Sequence, residues 1–287
     1  MTGVGSAEAP IGVFDSGLGG LTVLRALHER LPGEDLVYFG DTARVPYGTK
    51  GEKTVRAFAQ QDAGLLVTRG VKMVVVACNT ASAFALDYLR EILPVPVLGV
   101  INPGVRTALA ATRGGAVGVI GTSGTIRSLK YQAGLKAGGL DESQIVAQEC
   151  PLFVPLMEEG MGGHAMTELA IEEYLAPMRA AQIDTLILGC THYPLLKREI
   201  GQYMGPEVKL VDSADVLAAA AQERLEELGL LRPVADAGRE GELSFLLSDI
   251  PWKFQEIGAR FLGKPITDMK TVGLDDMEEA GHAMEQL

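Results

Sequence analysis

Two stretches of the chain run apolar into a cysteine and pass at once into small polar residues. One is Val74-Val75-Val76-Ala77-Cys78-Asn79-Thr80-Ala81-Ser82, the other Leu186-Ile187-Leu188-Gly189-Cys190-Thr191-His192-Tyr193-Pro194. A short uninterrupted apolar run fits a strand buried on both faces, as in a parallel sheet covered by helices. Each cysteine then stands at the mouth of a strand, with a helix starting behind it. A single free cysteine is usually a small core hydrophobe. The matched pair is what points to a shared site.

The duplication extends upstream. Ile11-Gly12-Val13-Phe14-Asp15-Ser16-Gly17 opens the first half, and Val117-Gly118-Val119-Ile120-Gly121-Thr122-Ser123-Gly124 resembles it at a comparable distance before the second cysteine. Strand patterns at 11–14, 36–39 and 73–77 alternate with helical ones at 20–31, 50–69 and 80–92, where Leu21, Leu24, Leu27 and Leu31 share a face. The strands at 116–120, 144–148 and 185–189 repeat the scheme. Alternation of this kind predicts parallel sheets wound with helices. The expected fold is therefore α/β: two pseudo-symmetric lobes with mainly parallel sheets and an active site in the cleft between them. The proline-rich stretch 94–103 marks the crossing out of the first lobe, and a strand at 208–211 marks the return. This assigns residues 1–99 and 209–287 to a discontinuous first lobe and 100–208 to the second. Asp212 reads as the cap of an alanine-rich helix. A strand at 243–247 and a helix at 251–262 follow, and the acidic end from Asp275 reads as a solvated helix or tail.

At 287 residues the chain can bury a large core, and 47% apolar with 22% charged residues is ordinary for a globular protein. A formal charge of -12 argues against nucleic acid as a partner, because phosphate binding calls for a basic surface. No stretch approaches the roughly 18 uncharged apolar residues of a membrane span, and residues 1–10 lack the pattern of a secretory leader. Three cysteines make a disulfide scaffold a poor reading, so reduced thiols and a cytoplasmic location are expected.

Several other groups can carry chemistry. Asp15 and Ser16, with Gly17, Gly19 and Gly20, form a turn between strand and helix. Its amides can hold a carboxylate, or the two side chains can simply cap the helix. It does not complete a dinucleotide fingerprint, since Thr22 stands where the last glycine belongs. The loop 38–48, with Asp41, Tyr47 and Gly48, follows a strand end, where such sheets bind ligands, although Asp41 could equally cap a turn. His192 lies two residues beyond Cys190 and can relay a proton to it. His28, His164 and His282 have no such company, and Cys150 reads as packing. Metal spacing is absent: there is no CxxC pair and no close histidine pair.

Two thiols on separate strand ends do not make a convenient redox pair, and a cysteine hydrolase would leave one of them unexplained. They do suit the inversion of a carbon centre, in which one group removes a proton from one face while its twin delivers a proton to the other. A free thiol has a pKa of about 8.5, and a donor or helix N-terminus is expected to lower it towards neutrality, so that one thiolate can face one thiol.

At these residues the chain resembles the glutamate racemases, cofactor-independent members of the aspartate/glutamate racemase superfamily. The resemblance is carried by Val13-Phe14-Asp15-Ser16-Gly17-Leu18-Gly19-Gly20, by Gly40-Asp41 with Pro46-Tyr47-Gly48, by the two cysteine motifs, and by Cys150-Pro151-Leu152-Phe153-Val154-Pro155-Leu156 with Glu158. It spans about residues 11–262 and leaves the two ends outside. It implies interconversion of L- and D-glutamate without pyridoxal phosphate or any other cofactor, supplying D-glutamate for peptidoglycan. It further implies that Cys78 takes the α-proton of the D-enantiomer and Cys190 that of the L-enantiomer. Asp15 would assist Cys78, and Glu158 with His192 would assist Cys190. Asp15, Ser16, Tyr47, Gly48, Asn79, Thr80, Thr191 and His192 would bind substrate. Without the resemblance, Glu158 beside Glu159 would read as a solvated acid. The family often forms homodimers. The alternatives are an aspartate racemase and, from another class, a non-catalytic amino-acid binding protein, which would not need both thiols.

Overall fold

The computed structural model describes residues 6–233 and 238–285. In chain order the elements are β1 (Ile11–Asp15), α1 (Leu21–Arg30), β2 (Leu36–Gly40), α2 (Glu52–Thr68), β3 (Met73–Val76), α3 (Asn79–Ile92), β4 (Val97–Gly99), α4 (Ile101–Ala111), β5 (Val117–Gly121), α5 (Ser123–Arg127), α6 (Lys130–Ala137), β6 (Ile145–Glu149), α7 (Phe153–Glu158), α8 (Ala165–Ala180), β7 (Thr185–Gly189), α9 (Lys197–Met204), β8 (Lys209–Asp212), α10 (Ser213–Glu227), β9 (Leu243–Leu247), α11 (Phe254–Leu262), β10 (Met269–Thr271) and α12 (Leu274–Glu285). Short 3-10 turns at Thr42–Arg44, Tyr47–Thr49 and Tyr193–Leu196 shape the loops at strand ends.

Among the described residues the strands form two sheets, ordered β10-β9-β2-β1-β3-β4 and β6-β5-β7-β8, and every pairing is parallel. The central strands β1, β3, β5 and β7 are buried along their whole length, as their apolar sequences require of strands covered on both faces. β3 lies beside β1 and β7 beside β5, so both cysteine motifs leave the centre of a sheet at its C-terminal end.

The strand expected to return the chain to the first lobe does not do so. β8 pairs with β7 in the second sheet, Lys209 opposite Thr185 and Leu188 opposite Asp212. The crossing comes after it, through α10, which packs against both α1 and α4. An edge strand's sheet is decided by a long-range pairing, and nothing local to 209–212 reports it. Asp212 does cap α10, accepting from the amide of Ala214 at 2.9 Å.

The acidic end also differs from expectation. α12 packs along α2 with Met277, Ala280 and Met284 buried, and Asp275, Asp276, Glu278 and Glu279 turned outwards. Gln60 ties the two helices, donating from Nε2 to the carbonyl of Gly281 at 2.9 Å. Gln286 and Leu287 lie outside the described residues. Because Met277 is fully buried, Met277→Ala should lower the unfolding free energy by about 2–4 kcal/mol. Urea denaturation measures this, and a loss below about 0.5 kcal/mol would mean that α12 does not pack as described.

Candidate active site

At the end of β1 the chain turns sharply, and the Asp15 carboxylate folds back to accept the Gly17 amide at 3.0 Å. Tyr38 secures the same turn by donating its hydroxyl to the Gly17 carbonyl at 2.7 Å. Asp15 is fully buried and receives the Thr191 hydroxyl from the second lobe at 3.3 Å. Burial pushes its carboxyl up, against the opposing pull of His192, the Gly20 and Gly17 amides and Thr191. Asp15 is thus both a cap of its own turn and a tie between the lobes.

Cys78 is the N-cap of α3: its sulfur accepts the Ala81 amide at 3.4 Å and lies 3.6 Å from the Ser16 hydroxyl. On the other lobe, Cys190 Sγ is 3.9 Å from His192 Nδ1, and His192 Nε2 is 3.1 Å from Glu158 Oε1. Phe261 of α11 meets the imidazole edge to face, with centroids 5.1 Å apart. Thiol, imidazole and carboxylate thus stand in a line from Cys190 to Glu158, whereas Cys78 has no imidazole beside it and the carboxyl whose charge acts on it is that of buried Asp15.

Both thiols are raised rather than lowered. Burial takes Cys78 up to about 12, with the charge of Asp15 adding to it and the Ala81 and Ser16 donors acting the other way. Burial likewise pushes Cys190 up, further raised by Cys78, Asp15 and Glu158. The expectation of a depressed thiol counted the helix N-terminus and the donors but not desolvation, and desolvation dominates.

The two thiols open into one cavity of about 350 Å3 between the lobes. Ser16, Tyr47, Gly48, Cys78, Asn79, Thr80, Glu158, Cys190, Thr191 and His192 line it, while Asp15 lies behind the wall. Tyr47 does not offer its hydroxyl, which is engaged with Asp41 and, at 2.8 Å, with Asp62. The Tyr47 carbonyl is engaged too, accepting the Lys50 amide at 3.0 Å. Asn79 is held by Tyr131, which donates to Oδ1 at 2.8 Å, while the buried Asn79 Nδ2 has no hydrogen-bond partner. Such a spare buried donor is costly unless a ligand or water meets it. Thr80 and Thr122 bridge the lobes, hydroxyl to hydroxyl, at 2.9 Å.

Sequence reasoning missed Thr122, Ser123, Val154 and Pro155 on the cavity wall. The signal for the first two was present, since Thr122-Ser123-Gly124 occupies in the second lobe the place of Asp15-Ser16-Gly17 in the first. Cys150 is buried off the cavity, in the core with Phe153 and Tyr193. A groove of about 570 Å3 between Arg69, Gly241–Leu246 and Lys264–Lys270 is larger, but it contains neither thiol nor any group of this constellation. Among the described residues no three His, Cys, Asp or Glu side chains are gathered to hold a metal ion, and no helix is long and apolar enough to cross a membrane.

The sequence profile of the Asp/Glu/Hydantoin racemase family matches residues 11–221. This chain belongs to that family. A glutamate racemase of Geobacter metallireducens is 51% identical to it over 269 residues, covering 94% of this chain and 98% of the relative. Among solved structures, glutamate racemase of Thermus thermophilus in complex with beta-chloro-D-alanine is 44% identical with a TM-score of 0.84, covering 94% of this chain and 99% of that one. Glutamate racemase of Francisella tularensis in complex with D-glutamate is 39% identical with a TM-score of 0.86, over the same shares. The two parallel sheets described above are thus the family's architecture.

For this family member, the raised thiols have a measurable consequence. Only the thiolate is alkylated, so iodoacetamide labelling of Cys78 in the free protein should climb about tenfold per pH unit from pH 7 to 9 without levelling. Mass spectrometry of the labelled peptide follows it, and a plateau near pH 7–8 would contradict a thiol raised by burial.

Proposed function

We propose that this chain interconverts L- and D-glutamate by moving a proton on and off the α-carbon between two thiols, with no cofactor taking part. One observation carries the reading: two buried cysteines, each at the C-terminal end of a central parallel strand in its own sheet, line the same cavity from its two lobes. Glutamate is the substrate favoured by the relatives, which at 44–51% identity are glutamate racemases.

Both thiols rest protonated, so the first step is to deprotonate one of them. On the Cys190 side the thiol proton passes to His192 Nδ1, and Glu158 at Nε2 stabilises the imidazolium. On the Cys78 side the assisting group is Asp15, whose charge acts on the thiol and whose own carboxyl is raised by burial. The Cys78 thiolate removes the α-proton of D-glutamate, and the Cys190 thiol delivers its own proton to the opposite face of the carbanion. The product is L-glutamate, with Cys78 now the thiol and Cys190 the thiolate, and the reverse reaction exchanges the roles. Ser16, Asn79, Thr80, Thr191 and the main chain of Tyr47 and Gly48 hold the carboxylates and amino group. Uncharged donors stabilise charge growing towards the carboxylate without competing for the migrating proton.

In this reading residues up to about 99 and the segment after α10 make one lobe and about 100–212 the other, with closure of the lobes over the substrate. The chemistry needs two reduced thiols, which suits the cytoplasm, where the product would supply D-glutamate for peptidoglycan.

The test is incubation with L-glutamate in D2O without added cofactor, following optical rotation and the α-proton by NMR. D-glutamate bearing α-deuterium is expected, and Cys78→Ser and Cys190→Ser should each lower the racemisation rate by about 10²–10⁴-fold. Racemisation of aspartate but not glutamate would keep the mechanism and change the substrate. If neither acid exchanges its α-proton, the chain is a binding protein and the catalytic reading is wrong.

A further inference from the structure

Beneath the loop that presents Tyr47 and Gly48 to the cavity lies a second polar cluster that does not itself line it: Asp41, Arg44, Asp62 and Ser248. Asp41, Asp62 and Tyr47 are 0% exposed. Arg44 donates from Nε to Asp41 Oδ2 at 2.7 Å, from Nη2 to Asp62 Oδ1 at 3.0 Å, and from Nη1 to Gln61. Its guanidinium lies 4.1 Å above the Phe58 ring, which also packs on Tyr47. Ser248 accepts the Ala43 amide at 2.8 Å and donates to Asp41 Oδ1 at 2.8 Å.

A count of protons decides the state of this cluster. The Tyr47 oxygen is within hydrogen-bond reach of two carboxyl oxygens, Asp41 Oδ2 and Asp62 Oδ2, yet it has one proton to give. One of the two contacts therefore needs its proton from the carboxyl. Asp41 already collects donors from Arg44 and Ser248 and is the better place for the negative charge. Asp62 has a donor on Oδ1 alone, so its Oδ2 is free to carry a proton. The charges agree: one guanidinium against two carboxylates would leave a buried net charge, whereas one protonated carboxyl leaves none. Burial and the neighbouring Asp41 also hold the Asp62 carboxyl well above the usual range, with Asp15 adding in the same sense and Arg44 and Tyr47 opposing.

We propose that Asp62 is a positioning residue for the racemase site: as the neutral acid it donates to the Tyr47 hydroxyl, which donates to Asp41, and this line of donors fixes the main chain of residues 46–48 where the substrate binds. The inference rests on the racemase reading above. The clearance at this loop makes the positioning matter. A Cβ on Gly48 would stand 2.6 Å from Thr122 Cβ of the second lobe, and a Cβ on Gly124 would stand 3.2 Å from the Gly48 carbonyl. The loop therefore sets both the Tyr47–Gly48 wall of the cavity and the approach of the lobes, and the cluster sets the loop.

Asp62→Asn tests it, because the amide keeps an acceptor for Arg44 and a donor for Tyr47 and so copies the neutral acid, whereas Asp62→Ala removes both. For Asp62→Ala we expect KM for both enantiomers to rise about tenfold with kcat within about threefold, the pattern of lost ground-state and transition-state binding alike. Asp62→Asn should restore KM to within about threefold. If the alanine variant does not fold, as judged by circular dichroism, Tyr47→Phe carries the test with the same expected rise. An unchanged KM in Asp62→Ala, or an Asp62→Asn as poor as the alanine, overturns the proposal. One readout is independent of activity: in protein labelled with 13C-aspartate at the side-chain carboxyl, the resonance lost in Asp62→Asn should stand at the protonated position at pH 7. A carboxylate position overturns the proposal even if the enzyme is active, whereas a wild type inert towards glutamate and aspartate overturns the racemase reading and leaves this spectrum to decide the state of Asp62.

Discussion

The lobes meet with almost no clearance at the place where the chemistry is held. A Cβ on Gly19 would come within 2.2 Å of the Thr191 hydroxyl and 2.5 Å of His192 Nδ1, so the turn after β1 must approach the second thiol's loop backbone first. Much else in the site depends on that closeness. It brings Thr191 to Asp15, buries both carboxyl and thiols, and leaves a cavity small enough for two strand ends to address one carbon. The same closeness desolvates the thiols and so raises them, which makes the accessory groups necessary. In the mechanism proposed above, Asp15 on one side and His192 with Glu158 on the other are the means by which a thiol too weakly acidic for the task loses its proton.

The near-symmetry of the fold is kept in the sheets and abandoned in the helpers. β3 and β7 occupy equivalent central places, yet Cys78 caps a full helix while Cys190 is followed by a 3-10 turn that turns His192 back towards the sulfur. A reaction that must run in both directions does not need identical surroundings for its two bases. It needs each to be able to exchange a proton while the α-carbon stays between them.

How much of this was legible in the sequence follows from the range of the interactions involved. The central strands could be read because burial on both faces writes an uninterrupted apolar run into the chain, as in Val74–Val76 and Leu186–Leu188. The two thiols could be read because their small polar neighbours are adjacent in the chain. The sheet to which β8 belongs is not legible locally, because its partner, Thr185–Leu188, lies some twenty residues away and leaves no mark on Lys209–Asp212. The composition of α12, dominated by acidic residues, reads as a solvated end, while the buried Met277, Ala280 and Met284 recur at helical spacing between them. The direction of the thiol shifts was missed for a related reason. A helix N-terminus is visible in sequence, but the desolvation that outweighs it is a property of the closed cleft. Tyr47 was named for its type, and only the fold shows that its hydroxyl faces Asp41 and Asp62 instead of the cavity.

The central claim is geometric: the α-carbon lies between Cys78 and Cys190. The most direct measurement is a crystal structure of the Cys78→Ser/Cys190→Ser double variant with D-glutamate bound, in which no proton can be moved by a thiol. The account predicts the two serine hydroxyls on opposite faces of the α-carbon, each about 3–4 Å from it, with Asn79 Nδ2 donating to the ligand. Both hydroxyls on one face, or an α-carbon out of reach of either, would contradict it.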